Sequence, residues 1–286
     1  MTRVQRWILS FFQEIRESRE LLVNLTLREV RGQYKRTFLG QLWSLANPLA
    51  MMVIYTFVFG FIFRVQPRPG DPSGTNVFAL WLLCGLLPWT FFTVVVNTGM
   101  ASLVVNAGLI QKVYFSRIVL PLSVVGSAAY NWLFEMGVLV IALALFGSFL
   151  WPWLPLVLVV MLLLALFAAG IGMALSVANV YFRDTQYFVG IILSFWMYLT
   201  PIVYPITLIE NESAKIGPLL GWGPTLLEAY RWNPMERFVE VFRNLLYDNR
   251  WPTAGDSLFI VIASVLVFAI GAWIFRRNER GLAEAL

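Results

Sequence analysis

Histidine and cysteine, on which many metal sites and redox centres depend, are almost absent from this sequence. The chain of 286 residues contains no histidine and a single cysteine, Cys84. Histidine is the commonest metal ligand and titrates near neutral pH, and one cysteine has no partner for a disulfide within the chain. Zinc chemistry, redox chemistry and an internal disulfide are therefore poor explanations of its function.

The sequence also lacks the motifs of nucleotide hydrolysis and of nucleophilic catalysis. It has no G-x-x-x-x-G-K-[ST] loop to hold phosphates, no recognisable spacing of paired metal-binding carboxylates and no Ser/His/Asp set. We therefore expect no catalytic, cofactor-binding or metal-binding residue on this chain. Energy for any work that it performs must come from elsewhere.

Charged residues are scarce as well, and this scarcity defines the class of protein. Only 13% of the residues are charged, 59% are hydrophobic, and the mean hydropathy is +0.73. An ordinary soluble domain is far less apolar. Several runs reach the roughly 20 apolar residues that cross about 30 Å of hydrocarbon, and they lack the alternation of barrel strands. The composition predicts an all-α membrane protein in contact with membrane lipids, with no nucleic acid as a partner.

Six membrane-spanning helices are predicted, so both termini lie on one side of the membrane. Eight Lys and Arg residues precede residue 37, whereas "GSFLWPWLP", between the third and fourth spans, carries no charge. Positive-inside bias therefore predicts a multi-pass protein of the cytoplasmic membrane with both termini in the cytoplasm. Spans one to five fill residues 41–204, and residues 257–286 hold the sixth span and the C-terminus. The predicted spans are 42–63, 78–103, 124–149, 154–181, 187–204 and 258–275.

The segment before the first span, residues 1–40, is predicted to be a cytoplasmic amphipathic helix at the membrane interface. Apolar side chains recur there at helical spacing opposite polar ones. These apolar residues are Trp7, Ile8, Phe11, Phe12 and Ile15. Four basic residues, Arg28, Arg31, Lys35 and Arg36, follow and would attract anionic headgroups, each charge contributing about 1 kcal/mol near the surface. A simple membrane anchor explains the same pattern.

Residues 205–256, on the outer side, combine acidic residues with Trp, Leu and Pro, and are too apolar for a disordered loop. Met235, Phe238 and Phe242 follow a helical period that starts from Asn233 as cap and Pro234 as first helical residue. The pattern predicts short helices that dip into the outer leaflet and return, forming a folded lid. A surface loop is the alternative.

Within the predicted spans, Glu135 is the one charged residue, and aromatic residues are abundant. A lone glutamate suits either a functional site or a buried packing position. The aromatic residues form stripes at helical spacing, which are usually core or lipid-facing surface but would also give a glycan flat faces on which to slide. The candidate channel residues are Tyr55, Phe59, Trp81, Phe92, Phe195 and Tyr198.

Two short cytoplasmic connections, 109–123 and 180–187, mix charge with aromatic residues. They are either docking sites for a soluble motor protein or plain anchors whose long side chains reach the headgroups. The charged residues that we expect to couple the chain to such a motor are Lys112, Arg117, Arg183 and Asp184.

Five stretches together resemble a known family, the permease subunits of ABC-2-type exporters of cell-surface polysaccharide. This family includes the O-antigen, teichoic acid and capsule exporters and the actinobacterial galactan exporter. The matches occur in family order over nearly the whole chain. They are "REVRGQYKRTFLGQLWSLANPL", "GLLPWTFF", "NAGLIQKVYFSRIVLPLS", "YFRDTQYFVGIILSFWMYLTPIVYP" and "RWNPMERFVEVFRNLL".

The resemblance implies an ABC-2, or type V, exporter fold and a homodimer of this chain with two copies of a separate ATPase subunit, which would hold the ATP and Mg²⁺. The complex would move a lipid-linked polysaccharide outward for cell wall biogenesis. The resemblance also implies that residues 109–123 couple the chain to the ATPase, that the helices after "TPIVYP" form an outer gate, and that Arg28, Arg31, Lys35 and Arg36 contact a pyrophosphate or headgroup.

Two other functions stay open at this point. An ABC-2 permease for a drug or small lipid would have an ATPase partner but no effect on glycan export. A membrane scaffold without transport would have no ATPase partner at all.

Overall fold

The structure is a computed structural model that describes residues 13–33, 35–65, 68–218, 223–279 and 281–286. Nearly all of its regular structure is helical, and the helix after residue 43 continues as a π-helical segment, Thr56–Ile62. The α-helices are α1 (Arg19–Gln33), α2 (Trp43–Tyr55), α3 (Phe78–Val105), α4 (Ala107–Ile110), α5 (Val119–Leu145), α6 (Leu154–Tyr181), α7 (Thr185–Tyr198), α8 (Ile206–Ile216), α9 (Leu226–Arg231), α10 (Pro234–Arg243), α11 (Ala254–Asn278) and α12 (Leu282–Ala285).

Five helical segments in the described part of the chain are long and apolar enough to cross a membrane: Gly40–Ile62, which contains α2, and helices α3, α5, α6 and α11. This confirms the prediction of a helical membrane protein. The fifth predicted span, 187–204, is wrong in its outer part. Helix α7 has only 14 residues, about 21 Å at 1.5 Å per residue. It ends because Pro201 supplies no N–H group and its ring clashes with the preceding turn.

Helix α3 lies at the centre of the bundle. It packs against α5, α6, α7 and α10, and it is apolar on every side, as expected of a helix surrounded by protein. The neighbouring pair, α6 and α11, crosses closely at Gly170 and Gly271, where a methyl group on either glycine would collide with the backbone of the other helix. Small residues allow such close approach between helices in membranes.

Helix α10 lies inside the bundle rather than on its surface. Asn233 caps it by accepting a hydrogen bond from the Met235 backbone N–H at 3.0 Å, and Pro234 is its first residue, which confirms the predicted start. Phe238 and Phe242 are fully buried. The Phe238 ring lies 5.7 Å from that of Phe167 in α6, and the Phe242 ring 5.8 Å from that of Trp132 in α5.

The two ends of the described chain meet at one end of the bundle. Helix α1 runs along the first half of α5, where the Thr26 hydroxyl donates to the Ser123 carbonyl at 3.4 Å. Leu25 of α1 and Leu282 of α12 belong to one buried cluster with Phe275 of α11. We call this end, with the C-terminal ends of α3, α6 and α11, the terminal end, and the opposite end the distal end.

Candidate functional site

An exposed turn follows α4 at the terminal end. Its fold is local: the backbone N–H groups of Lys112 and Val113 both donate to the Leu109 carbonyl, at 3.2 and 3.1 Å. Lys112 is exposed, Val113 is 52% exposed and Tyr114 is 101% exposed. An aromatic ring that contacts almost none of its own chain can bury its apolar area only against a partner or lipid headgroups.

A second exposed turn joins α6 to α7. Phe182 is 72% exposed, Arg183 and Asp184 are both exposed, and no described residue forms an ion pair with either charge. Helices α3 and α6, whose C-terminal ends lie near the two turns, are joined there: the Asn179 side-chain amide of α6 donates to the Met100 carbonyl of α3 at 3.3 Å. Three of the four predicted coupling residues, Lys112, Arg183 and Asp184, therefore lie exposed at the terminal end.

The fourth predicted coupling residue, Arg117, is engaged within the chain. Its guanidinium donates to the Glu279 carbonyl oxygen, and its backbone N–H donates to Glu279 Oε1 at 3.3 Å. Beside it the Ser116 hydroxyl donates to Glu14 Oε1 at 2.6 Å, and Glu14 Oε2 lies 3.5 Å from Arg276 Nη2. We call Glu14, Ser116, Arg117, Arg276 and Glu279 the terminal polar cluster. It connects three parts of the chain that are remote in sequence.

Within the terminal polar cluster, burial has its largest effect on the pKa of Glu279. The pKa of Glu279 is raised, first because burial disfavours its charged form and then because Glu14 is nearby. Hydrogen bonding and charge from Arg117, together with the charge of Arg276, lower the pKa but do not cancel these effects. Sequence inspection missed Glu14, Ser116 and Glu279, since no spacing relates them.

The predicted basic cluster is exposed but is not one helix. Arg28 and Arg31 lie on α1, which ends at Gln33, whereas Lys35 and Arg36 lie in the turn that follows. The prediction of a continuous basic helix to Arg36 is therefore wrong, and Arg36 itself has a left-handed φ of +64°. Gly40, with φ +52°, lies at the turn into the first span, a conformation that favours glycine.

Arg28 is held in place by its own chain. Its Nη2 donates to Glu29 Oε1 at 2.9 Å and to Asn106 Oδ1 at 2.8 Å. The other three side chains of the basic cluster are exposed. The predicted interfacial residues Trp7, Ile8, Phe11 and Phe12 lie outside the described residues.

The structure does not bring the six candidate channel residues to one surface. Phe195 and Tyr198, on α7, are 66% and 59% exposed, and Tyr55 and Phe59 are half-buried with their rings 6.2 Å apart. The other two are buried on α3: Trp81 is 6% exposed and Phe92 is 0% exposed. Because α3 is surrounded by protein, these two side chains pack in the core of this conformation. The channel role of the other four stays a prediction.

Exposed aromatic and aliphatic side chains cover one face of α7. They recur three and four residues apart, so they form a continuous stripe. The stripe consists of Tyr187, Phe188, Ile191, Ile192, Phe195 and Tyr198. A stripe of this kind contacts either lipid or a second subunit.

Arg243 links the distal helices to the turn after α7, a role that sequence inspection missed. It is 5% exposed, and its Nη1 and Nη2 atoms each donate at 2.7 Å, to the carbonyls of Pro201 and Ile202. Its guanidinium also lies 3.6 Å from the centre of the Trp81 ring, close enough for a cation–π contact. This one side chain therefore fixes α10 to both α3 and the segment that ends α7.

A cavity of about 310 Å³ opens beside Arg243 at the distal end. Its lining carries charges of both signs, among them Asp71, Glu210, Glu240, Asp248 and Arg250. Arg250 lies 3.1 Å from Asp248 and 3.9 Å from Glu240, so these charges are partly neutralised. No group of three or more acidic or Cys residues suited to a metal ion occurs among the described residues.

Comparison with known proteins gives one family over most of the chain. The family model described as ABC-2 type transporter matches residues 20–247. The chain is 30% identical to the O-antigen export system permease protein RfbA of Myxococcus xanthus, covering 98% of this chain and 100% of that protein. It is 29% identical to the protein of the same name from Klebsiella pneumoniae (93% and 95% covered) and 27% identical to the polysialic acid transport protein KpsM of Escherichia coli (90% and 93% covered).

Proposed function

This chain belongs to the ABC-2 type transporter family, and from that premise we propose that it is the membrane-spanning subunit of an ATP-driven exporter of a cell-surface polysaccharide. The observation that carries the proposal is the similarity to the RfbA and KpsM proteins over nearly the whole length of each. Their names specify O-antigen export and polysialic acid transport. The similarity spans the bundle and the distal helices alike, so it does not rest on apolar composition alone.

A separate ATPase subunit, in two copies, hydrolyses ATP with Mg²⁺ at the terminal end. The support from the structure is the pair of exposed turns there, which offer Lys112, Tyr114 and Phe182 beside the unpaired Arg183 and Asp184. Aromatic and arginine side chains that are free of intrachain contacts are typical of a protein–protein interface.

The terminal end faces the cytoplasm, and the chain crosses the cytoplasmic membrane six times. The basic residues of and after α1 support this orientation through positive-inside bias. Helix α7 makes the fifth crossing together with the bent segment 199–204, where Thr200 and Ile202 are fully buried. Helices α8 to α10 enter the outer leaflet and return. Helix α10 is buried in protein, whereas the described residues of α8 and α9 are largely exposed or half-buried.

Two copies of this chain form the translocation path between them. The exposed apolar faces of α2 and α7 support this arrangement. Phe195 and Tyr198 lie on the exposed face of α7, and Tyr55 and Phe59, on α2 and its π-helical extension, are half-buried against the core. The lipid-linked glycan slides along these rings. Lys35 and Arg36, with Arg31, contact the pyrophosphate or headgroup of its carrier at the terminal end.

The test is export from cells that lack this gene. We expect deletion to abolish surface polysaccharide, and the wild-type gene to restore it in cells that also express a cognate ATPase. Charge reversal at Arg183 or Lys112 should reduce export without reducing membrane insertion, while Lys215→Glu, on exposed α8 at the distal end, serves as the matched control. Drug sensitivity with normal glycan would indicate a drug permease, and a chain that co-purifies with no ATPase would indicate a scaffold.

A further inference from the structure

Helix α2 packs loosely on α3 and α5 and leaves two adjacent cavities beneath it. One, of about 250 Å³, is lined by both polar and apolar side chains from α1, α2, α3 and α5, and we call it the polar cavity because the other cavity has far fewer polar residues. The other, of about 280 Å³, is lined by aliphatic side chains, a phenylalanine and one carboxyl group. Pro48 and Glu135 line both cavities. Each cavity is close to the lower limit of small-molecule sites, about 300 Å³, and together they exceed it.

Several polar groups in or around the polar cavity have no partner among the described residues. Asn131 is 7% exposed and Trp132 2% exposed, yet no described residue forms a hydrogen bond with the Asn131 Oδ1, the Trp132 Nε1–H or the Ser44 hydroxyl. Pro48 lacks the N–H that would pair with the Ser44 carbonyl four residues earlier. Buried polar groups are nearly always paired, and leaving one unpaired costs about 1–3 kcal/mol. The cavity is therefore built for a polar occupant.

Glu135 is the central group of the pair of cavities. It is 8% exposed, and no hydrogen bond or ion pair from the described residues reaches its carboxyl group. Two polar residues that line the same cavity are engaged elsewhere: Asn131 donates through Nδ2 to Gln33 Oε1 at 2.7 Å, and the Thr90 hydroxyl donates to the Leu86 carbonyl at 2.9 Å. A carboxyl group inside a membrane span is retained mainly for function.

The residues that line the two cavities favour some chemical groups as occupants over others. No Lys or Arg is among the described residues that line either cavity, so a phosphate beside Glu135 would lack a counter-charge. An ammonium group can pair with Glu135 but only donates, so it would leave the Trp132 N–H unpaired. Sugar hydroxyls both donate and accept, and they satisfy the donors and acceptors together. Phe91 and Trp132, stacked with ring centres 4.1 Å apart, add an aromatic wall.

We propose that the two cavities form a site within each subunit for an amphipathic glycoside, its phosphate-free sugar in the polar cavity on Glu135, Asn131 and Ser44 and its alkyl chain in the apolar cavity. This site is separate from the exposed faces of α2 and α7. It requires neither the translocation path nor an ATPase.

The test uses the full chain in phosphatidylcholine nanodiscs and three photoreactive probes that share one diazirine-bearing octyl chain. Their headgroups are β-glucoside, ammonium and phosphocholine, and labelled residues are mapped by mass spectrometry. We expect the glucoside probe to label the lining of the apolar cavity, such as Met52 and Leu83, saturably and in competition with excess octyl glucoside. The ammonium and phosphocholine probes should label these residues at least about tenfold less.

Substitutions then test the assignment of Glu135. Glu135→Gln keeps an acceptor oxygen at this position and should reduce glucoside labelling less than about threefold, whereas Glu135→Leu removes every polar atom and should reduce it about tenfold or more. Ser44→Ala, which removes little volume, should reduce it at least about threefold. The matched control, Leu133→Ala, alters an exposed position on the same helix and should leave labelling unchanged.

Three results would overturn the proposal. Preferred labelling by the ammonium probe, lost in Glu135→Gln, would show an amine site. Labelling spread over the exposed faces and unaffected by the substitutions would show lipid contact only. The absence of saturable labelling would show that water fills the polar cavity. Since export is not measured, none of these results bears on the exporter function.

Discussion

Replacing Arg243 tests whether one buried side chain fixes the distal helices to the bundle. Arg243→Met keeps an apolar stem of similar length but removes the guanidinium. The carbonyls of Pro201 and Ile202 then lose donors that now lie at 2.7 Å, and each unpaired group costs about 1–3 kcal/mol. Loss of the contact with Trp81, whose ring centre is 3.6 Å away, adds about 2 kcal/mol for a desolvated pair.

Removing a buried charge also recovers part of its desolvation energy, so the net destabilisation is about 3–5 kcal/mol. For a chain of this size that corresponds to a melting temperature lower by about 5–8 °C. The loss should be local first: amide hydrogen exchange should accelerate in residues 199–205. Arg243→Lys should give an intermediate result, because one ammonium group cannot reproduce two directed bonds and a planar stack.

Arg250→Met is the matched control. Arg250 is 48% exposed and pairs with Asp248 at 3.1 Å, so its removal should cost no more than about 1 kcal/mol. If Arg243→Met melts like the wild type and exchange in 199–205 does not change, then α10 is held by its apolar face alone and Arg243 has no anchoring role.

Three further predictions follow from the packing. Gly271→Leu should prevent stable insertion of folded protein, judged by gel filtration in detergent, because any side chain there meets the backbone of Gly170. The control, Gly137→Ala, has nothing near its added methyl group and should be neutral or stabilise by up to about 1 kcal/mol. Equal behaviour of the two variants would refute the close crossing of α6 and α11. Phe92→Ala should destabilise the folded protein by about 3–5 kcal/mol, as for a core aromatic residue. In contrast, Phe195→Ala and Tyr198→Ala should lower glycan export with little change in melting temperature. Loss of both stability and export in these α7 variants would contradict the channel assignment. Arg117→Ala should increase proteolysis of the C-terminal residues after 278, and export should fall only in proportion to the protein that is cleaved. Full uncoupling of ATP hydrolysis from export with an intact C-terminus would show instead that Arg117 contacts the ATPase directly.

The sequence predicted those elements whose signals are local. Span length and apolarity identify the five long helices, since about 20 residues must be apolar to cross the hydrocarbon. Asn233 and Pro234 mark the start of α10 because a cap and a first-turn proline act within a few residues. Helix α7 ends before the predicted boundary for a reason that is also local: Pro201 and Pro205 interrupt the apolar run, and a prediction from composition alone takes no account of them.

The other differences between the sequence prediction and the structure concern which face of a helix contacts protein, lipid or a lumen. The stripe through Trp81 and Phe92 is real, but α3 is apolar all round, so periodicity carries no information about which face meets protein, lipid or a lumen. Burial of both residues follows from the insertion of α10 and α7 beside α3, a long-range arrangement. For α7, whose apolar residues also recur at helical spacing, the same reasoning selected Phe195 and Tyr198, which are exposed.

The predicted coupling residues at the terminal end fall into two groups in the structure, although the sequence does not distinguish them. Arg117 and Arg183 both lie in short connections beside aromatic residues, and nothing in their neighbours distinguishes them. In the fold, Arg117 binds Glu279, whereas Arg183 has no partner among the described residues. A side chain already held within the chain can transmit a displacement of its loop to α11, but an unpaired one can form new contacts with another protein. An ATPase that moves the exposed turns would therefore act on α11 and the chain's own N-terminal segment through the terminal polar cluster.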